Sequence, residues 1–286
     1  MDKGTLYLCA TPIGNLDDIS IRALNTLKEA DLIACEDTRH SLGLLNHFGI
    51  SKPLTSYHEH NKFEKGESLI QKLNDGVNIA LVTDAGTPAI SDPGEELVKK
   101  CIENGIRVVP VPGAAALINA LIVSGRDTRR FAFEGFLPVN ATARRAILEQ
   151  IRDYPETIIF YEAPHKLVRT LADMLETLGD RGVSIVRELT KIHETVMHTT
   201  LGAALRHYAE NKPKGEFVLV VDGKSEESAE AERRAEFENL SVREHVDLLI
   251  GRGMDKKEAI KQAAKQRGVA KREVYNEYIG GDGDES

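Results

Sequence analysis

Residues 79–94 read IALVTDAGTPAISDPG, and the change of character at Asp84 decides the fold class. Ile79 to Thr83 is an apolar run of strand length. The next eleven residues are too rich in Gly, Pro and Asp for a minimal connector, and they lie at the strand's carboxyl end, where open α/β sheets bind ligands. Gly86 lets backbone amides approach a ligand, Asp84 offers an acceptor and Thr87 a donor. The plain alternative is an ornate turn before a helix capped by Asp92.

Working outward, the runs Leu6 to Ala10, Leu32 to Cys35 and Val108 to Val111 are separated by amphipathic segments of helical period. That is the βα rhythm of a parallel sheet. Gly49, Gly76 and Gly105 each follow a helical segment, as left-handed helix terminators do. A first α/β domain is therefore expected over residues 1–120. From Arg130 the apolar runs become Phe131 to Phe136, Thr157 to Tyr161, Val183 to Val186, Thr195 to Thr199 and Phe217 to Val221. Helical pieces surround Ala146, Leu171 and Ala204, giving a second α/β domain over 121–223 with a mixed sheet.

A Glu- and Ala-rich stretch follows and reads as a charged linker over 224–240. Ser241 to Glu244 is a capping box, Asp255 to Glu258 opens another helix, and Gly268 closes it. Residues 241–281 thus form a small helical module resembling a helix-turn-helix, with Ala259, Ala263, Val269, Val274 and Tyr278 as its expected core. The acidic end, 282–286, is expected to be disordered.

The chain has 286 residues, 41% hydrophobic and 29% charged, with a formal charge of −8. No stretch approaches the roughly 20 apolar residues of a membrane span, and the first residues run straight into a strand, so a cytoplasmic protein is expected. Cys9, Cys35 and Cys101 form no CxxC pair, which argues against a disulfide framework or zinc site. The negative charge means that a polyanionic partner must be held by a local basic patch. There is no GxGxxG after a strand, and Gly223-Lys224-Ser225 has Val218 where a phosphate loop needs glycine. Dehydrogenase and NTPase readings fall, and hydrolase readings fall with the missing GxSxG. His58 and His60 lack the helical spacing of a zinc pair, and no metal site is expected.

Two further turns sit at strand ends. TPIGNLDD, 11–18, bends sharply at Pro12 and Gly14, and PGAAA, 112–116, would leave room for a flat group against exposed backbone. Close helix packing explains the small residues equally well. With these turns, CEDTR (35–39), DAGTPAISDPG (84–94), EGFLP (134–138), YEAPHK (161–166), RELTKIHE (187–194) and GEFVLVV (215–221) occur in series. In that order they resemble the tetrapyrrole methylase superfamily, and within it the branch that methylates ribosomal RNA. The likeness runs from Thr5 to about Asp222.

The resemblance implies two α/β domains with S-adenosylmethionine in the cleft between them, and a homodimer. It implies 2′-O-methylation of a cytidine ribose in 16S rRNA of the small ribosomal subunit. Carried onto this sequence, the donor-binding positions are Pro12, Gly14, Asp84, Gly86 and Thr87 from the first turns, with Gly113, Ala114 and Ala115. The second domain would add Tyr161, Ala163 and Leu189. Lys166 stands where relatives often have Arg, and Gly113 to Ala116 lacks a polar residue that some members carry. A ribose hydroxyl is a poor nucleophile while protonated, which invites a general base and a cation for the developing alkoxide. Asp37 or Glu162 is the expected base and Arg39 or Lys191 the expected cation, with His165 a further candidate. The alternatives are structural: an Asp37–Arg39 salt bridge and a Glu188–Lys191 pair.

Two basic segments are expected to meet RNA phosphates. One holds Arg126, Arg129, Arg130, Arg144 and Arg145; the other, in the helical module, holds Lys256, Lys257, Lys261, Lys265, Arg267, Lys271 and Arg272. Two rival readings are a methyltransferase of the same fold acting on a tetrapyrrole or other small molecule, and a nucleic-acid-binding regulator that uses only the C-terminal helices.

Overall fold

A computed structural model describes residues 2–228 and 240–280. The described residues form two compact units, one of residues up to 151 with 156–222, the other of Arg152–Pro155 with the residues after 222.

The larger unit holds two five-stranded sheets. In the first, β1 (Thr5–Cys9), β2 (Leu32–Cys35), β3 (Leu54–Ser56), β4 (Ile79–Leu81) and β5 (Arg107–Val111) lie in the order β3-β2-β4-β1-β5. Every pairing is parallel, which fits the buried apolar runs. Helices α1 (Ile21–Glu29) and α2 (Thr38–His47) bury Ala23, Leu27 and Leu45 against one face. On the other face, α3 (Lys62–Asn74) and α4 (Gly94–Glu103) bury Leu69, Leu73, Leu97 and Cys101. Ser20 caps α1 by accepting from the Ala23 N–H. Gly49, Gly76 and Gly105 have φ of 63°, 91° and 59°, so they end their helices as expected. All three cysteines are buried free thiols.

Strand order does the positioning. β4 lies between β2 and β1, and β5 lies on the far side of β1. The carboxyl ends of β2, β4, β1 and β5 are therefore neighbours, and the loops that follow them share one edge of the sheet.

The second sheet is mixed, as expected: β6 (Phe131–Phe136), β7 (Thr157–Glu162), β8 (Gly182–Arg187), β9 (Thr195–Thr200) and β10 (Phe217–Val221) take the order β6-β7-β10-β8-β9. Only β6 and β7 pair in parallel. One face is covered by α6 (Ala141–Gln150), α7 (Leu167–Leu178) and α8 (Leu201–Glu210) around Leu148, Leu171, Met174 and Phe160. The other is covered by α5 (Ala116–Val123), which buries Ala120 and Leu121 against Ile159, Val186, Val218 and Val220. Thus α5 follows a strand of the first sheet but packs on the second.

In the smaller unit, α9 (Val242–Gly251), α10 (Lys256–Arg267) and α11 (Lys271–Gly280) enclose Val246, Leu249, Ile260, Ala259, Ala263 and Val274. The capping box at Ser241 and Glu244 forms, and Gly268 is left-handed. Val269 departs from its expected core place and is 41% exposed. Its N–H closes the turn on the Ala264 carbonyl, so the backbone there serves the helix end and the side chain points away from the core. The expected linker at 224–240 lies mostly outside the described residues, and the acidic end wholly so. Among the described residues, no helix is long and apolar enough to cross a membrane.

Candidate functional site

The loops at the edge of the first sheet are fastened to one another by backbone. The Thr11 N–H donates to the Gly86 carbonyl at 2.9 Å, and the Gly86 N–H returns a bond to the Thr11 carbonyl at 3.2 Å. Thr87 Oγ1 donates to the Ala114 carbonyl at 3.0 Å, drawing in the loop after β5. Glycine is required where these loops touch. Gly86 has φ of 87°, and a Cβ there would lie 3.1 Å from Ile13 Cγ2. A Cβ on Gly14 would lie 2.5 Å from Lys191 Cγ, so the first turn rests directly on the 188–191 loop.

Ala89, Ser91, Glu188 and Thr190 are the non-glycine residues with positive φ among those described. They fall in two loops only, 84–92 and 188–191, and such strain persists where surrounding structure over-determines it. Asp92 Oδ1 holds the first loop by accepting from Ala89 N–H at 3.0 Å and Gly94 N–H at 2.7 Å. Glu188 holds the second by accepting from Glu216 N–H at 2.9 Å and Lys191 Nζ at 3.0 Å.

Between these loops and the second sheet lies a cavity of about 730 Å³, within the size range of small-molecule sites. Ile13, Ile90, Leu117, Val186, Leu189 and Phe217 supply apolar wall, while Glu36, Asp84 and Asp92 place carboxylates on it. Tyr161 closes one side: its hydroxyl accepts from Leu117 N–H at 3.1 Å and its ring meets Phe133 edge-on at 4.8 Å. Burial raises the Tyr161 phenol above its ordinary value. The cavity is thus apolar, with acidic groups near one another and, among the described residues, no cationic side chain on its wall.

Of the expected donor positions, Asp84, Gly86, Thr87, Ala115, Tyr161, Ala163 and Leu189 line the cavity. Pro12, Gly14, Gly113 and Ala114 stand behind it in the supporting loops; a Cβ on Gly113 would come within 2.8 Å of the Ala10 Cβ. The expected catalytic residues are more scattered. Asp37 is the N-cap of α2, accepts from Arg39 N–H at 2.8 Å and pairs with the Arg39 guanidinium at 3.3 Å. Those bonds hold the Asp37 carboxyl below its ordinary range. His165 is exposed, and Lys191 is bound to Glu188 and Glu216. Neither they nor Asp37 and Arg39 line the cavity. Glu162 does, but it is 2% exposed and engaged at both oxygens. Oε1 accepts from Ala163 N–H and pairs with Lys166, each at 2.8 Å, and Oε2 accepts from Thr170 Oγ1 at 2.5 Å.

Glu36, like Glu216, is a cavity carboxylate that sequence reasoning passed over. It follows β2, and Thr83 Oγ1 donates to its Oε2 at 3.3 Å. Burial, then the neighbouring Asp84, pushes its carboxyl above the ordinary value of 4.5. A carboxyl raised on folding costs stability above its unfolded value and nothing below it. Glu36→Gln should therefore raise the melting temperature at pH 7, and the gain should vanish as pH falls below about 4.5. Parallel thermal scans at pH 7 and pH 4 check this.

The expected basic segment that runs into α6 is internally paired. Arg126 binds Asp222, Arg129 pairs with Asp127 at 3.0 Å, and Arg130 with Glu156 at 2.5 Å. Arg144 is buried against Asp173, which also takes Arg145 at 2.8 Å. Among the described residues, no cluster of three or more His, Cys, Asp or Glu is placed to hold a metal.

Two sheets of this order, with loops of both around one apolar cavity, define an α/β enzyme scaffold with a small-molecule site. The chain belongs to the family of tetrapyrrole (corrin/porphyrin) methylases, whose sequence profile matches residues 5–205. It is 54% identical to the "Ribosomal RNA small subunit methyltransferase I" of Halalkalibacterium halodurans, over 97% of this chain and 95% of the relative. It is 48% identical to the protein of the same name from Synechocystis, over 95% and 96%. Among solved structures, uroporphyrin-III C-methyltransferase from Thermus thermophilus, complexed with S-adenosylhomocysteine, shares the fold. That likeness has a TM-score of 0.55 and 19% identity, covering 76% of this chain and 97% of the other.

Proposed function

We propose that this chain takes the methyl group of S-adenosylmethionine and places it on the 2′-hydroxyl of a cytidine ribose in 16S rRNA of the small ribosomal subunit. The observation that carries the reading is the 54% identity, along nearly the whole of both chains, to a relative named for methylating small-subunit ribosomal RNA.

The cavity suits the donor. Its volume is that of a small-molecule site, Gly86 keeps one wall bare of side chain, and Asp92 Oδ2 is buried with no hydrogen-bond partner. Bound there, S-adenosylmethionine supplies an electrophilic methyl carried on a sulfonium. Asp84 and Asp92 would face its cationic part, since carboxylates in a dry site favour positive charge. Ile90, Leu117 and Leu189 would take its flat apolar part, with Tyr161 and Ala163 completing the wall. The chain's task is then to bring the ribose oxygen into line with the methyl and exclude water, and positioning of that kind supplies much of the acceleration.

The reading includes a homodimer in the cytoplasm. It treats residues 1–120 and 121–223 as two domains, with 224–240 as linker to the helical module at 241–281. Tritiated methyl transfer tests it: purified protein should label RNA in small subunits from cells lacking the enzyme, on a ribose 2′-oxygen. Label on precorrins instead would favour the tetrapyrrole reading, and no turnover on any acceptor would favour a regulator.

RNA docking is assigned to the helical module, where Lys257, Lys261, Lys265 and Arg272 are all exposed. Changing these four to Gln should lower RNA affinity about tenfold at 0.1 M salt. The salt dependence should flatten by roughly 0.7–0.9 in log–log slope for each phosphate no longer neutralised, with donor affinity unchanged. Filter binding over a salt series reads both, and an unaltered slope removes the module from the interface.

A further inference from the structure

We infer that Glu36 is the catalytic residue that removes the acceptor's proton, a role deepening the methyltransferase reading above and resting on it. The geometry points to Glu36 by what occupies each other carboxylate on the cavity wall. Glu162 is held at both oxygens by Ala163, Lys166 and Thr170. Asp92 spends Oδ1 on two N–H groups that shape its own loop, and its unpartnered Oδ2 is, with Asp84, assigned above to the donor's cationic part. Asp84 accepts the Asp37 N–H at 3.1 Å, which fixes it to the start of α2. Glu216 pairs with Lys191 at 2.8 Å. Asp37, adjacent in sequence, caps α2 and is bound to Arg39 away from the wall.

Glu36 is different. A single hydroxyl, from Thr83, holds one of its oxygens at 3.3 Å, and the residue lines the cavity. The Thr83 bond orients the carboxylate without neutralising it. The charged groups that face it are Asp84 and Asp92, which oppose its ionisation, and His58, which favours it. Burial opposes it more than either carboxylate, so the group is a stronger base than a solvated carboxylate.

In the transfer, the ribose O2′–H bond breaks and its proton passes to a Glu36 oxygen, while the O2′ lone pair forms the bond to the methyl carbon. The carbon–sulfur bond breaks with its electron pair going to sulfur, which leaves neutral S-adenosylhomocysteine. Glu36 then returns its proton to water as product leaves.

The test compares wild type, Glu36→Gln and Thr83→Val in single-turnover methylation of small subunits at saturating donor, from pH 5 to 9, with donor affinity measured by calorimetry. Glu36→Gln should lose 100-fold or more, within the roughly 10²–10⁴ range of a positioned base. It should lose the acidic limb of the profile and bind donor within about threefold of wild type. Thr83→Val keeps the carboxylate but removes a bond that favours its charged form, so its acidic limb should move to higher pH. Turnover of Glu36→Gln near the wild-type rate, or its loss explained by donor affinity alone, overturns the proposal. An unmoved limb in Thr83→Val does the same, even if Glu36→Gln proves unable to fold. Wild-type protein that leaves small-subunit RNA unmethylated sinks the functional reading and this role with it, which separates the two failures.

Discussion

Gly86→Val should weaken S-adenosylmethionine binding by about 100-fold or more while leaving the chain folded. Gly86 has φ of 87°, a conformation in which a side chain costs roughly 1–2 kcal/mol. A Cβ there would meet Ile13 Cγ2 at 3.1 Å and the Ala114 carbonyl at 3.5 Å. The loop escapes by giving up its reciprocal bonds with Thr11, each worth on the order of 1 kcal/mol. Together these come to about 3–4 kcal/mol, above the roughly 2.7 kcal/mol that corresponds to 100-fold in affinity. Displacement also carries Asp84 and Thr87 away from the wall, since Thr87 ties the loop to Ala114. Calorimetry with the donor, beside a thermal scan to confirm folding, reads the effect. Unchanged affinity would mean that the donor does not rest on this loop.

The second large effect concerns stability. Lys166→Met should destabilise the chain by about 3–5 kcal/mol, because it leaves the Glu162 carboxylate buried and without its cation. The Glu162 side chain is 1% exposed and cannot turn to water. Lys166 also donates to the Leu137 carbonyl at 3.0 Å, a bond removed by the same change. For a chain of this size the melting temperature should fall by roughly 10 °C. Adding Glu162→Gln should recover most of the stability, because a neutral amide needs no counter-ion; the double-mutant cycle measures the coupling directly. A Lys166→Met protein as stable as wild type would show that the pair is open to solvent. The lysine that stands where relatives often have arginine is thus a structural partner of the β7 carboxylate.

Much of the fold was legible because its strands are apolar runs with clear ends. Nine of the strands follow stretches read from the sequence, such as Leu32–Cys35 and Phe217–Val221. Leu54–Ser56 was not, because three half-buried residues carry no periodic signal. The sheet on which α5 packs was illegible too. Its sequence, ALINALIV, is apolar but for Asn119, so periodicity does not say which face is covered or by what.

At the site, glycine and proline turns marked the loops around the cavity, since backbone that crowds other backbone must lack side chains. Carboxylate roles were harder. Glu36 and Asp37 are adjacent just past a strand, where alternation no longer says which one faces the cavity. One signal does separate them: Asp37 directly before a helical run is an N-cap, and a cap spends its oxygens on the helix. That rule leaves Glu36. Glu162 was misleading for the opposite reason, because its partners Lys166 and Thr170 lie four and eight residues on, where a helix only the fold defines brings them back.

If the loops 84–92 and 188–191 and the second sheet hold one methyl donor between them, a crystal structure of the full chain with S-adenosylhomocysteine shows it most directly. The ligand should lie in the cavity between Gly86, Leu117, Tyr161 and Leu189, with Glu36 beside the space left for the acceptor. Ligand bound elsewhere on the chain, with this cavity empty at saturating concentration, would refute that placement of the donor.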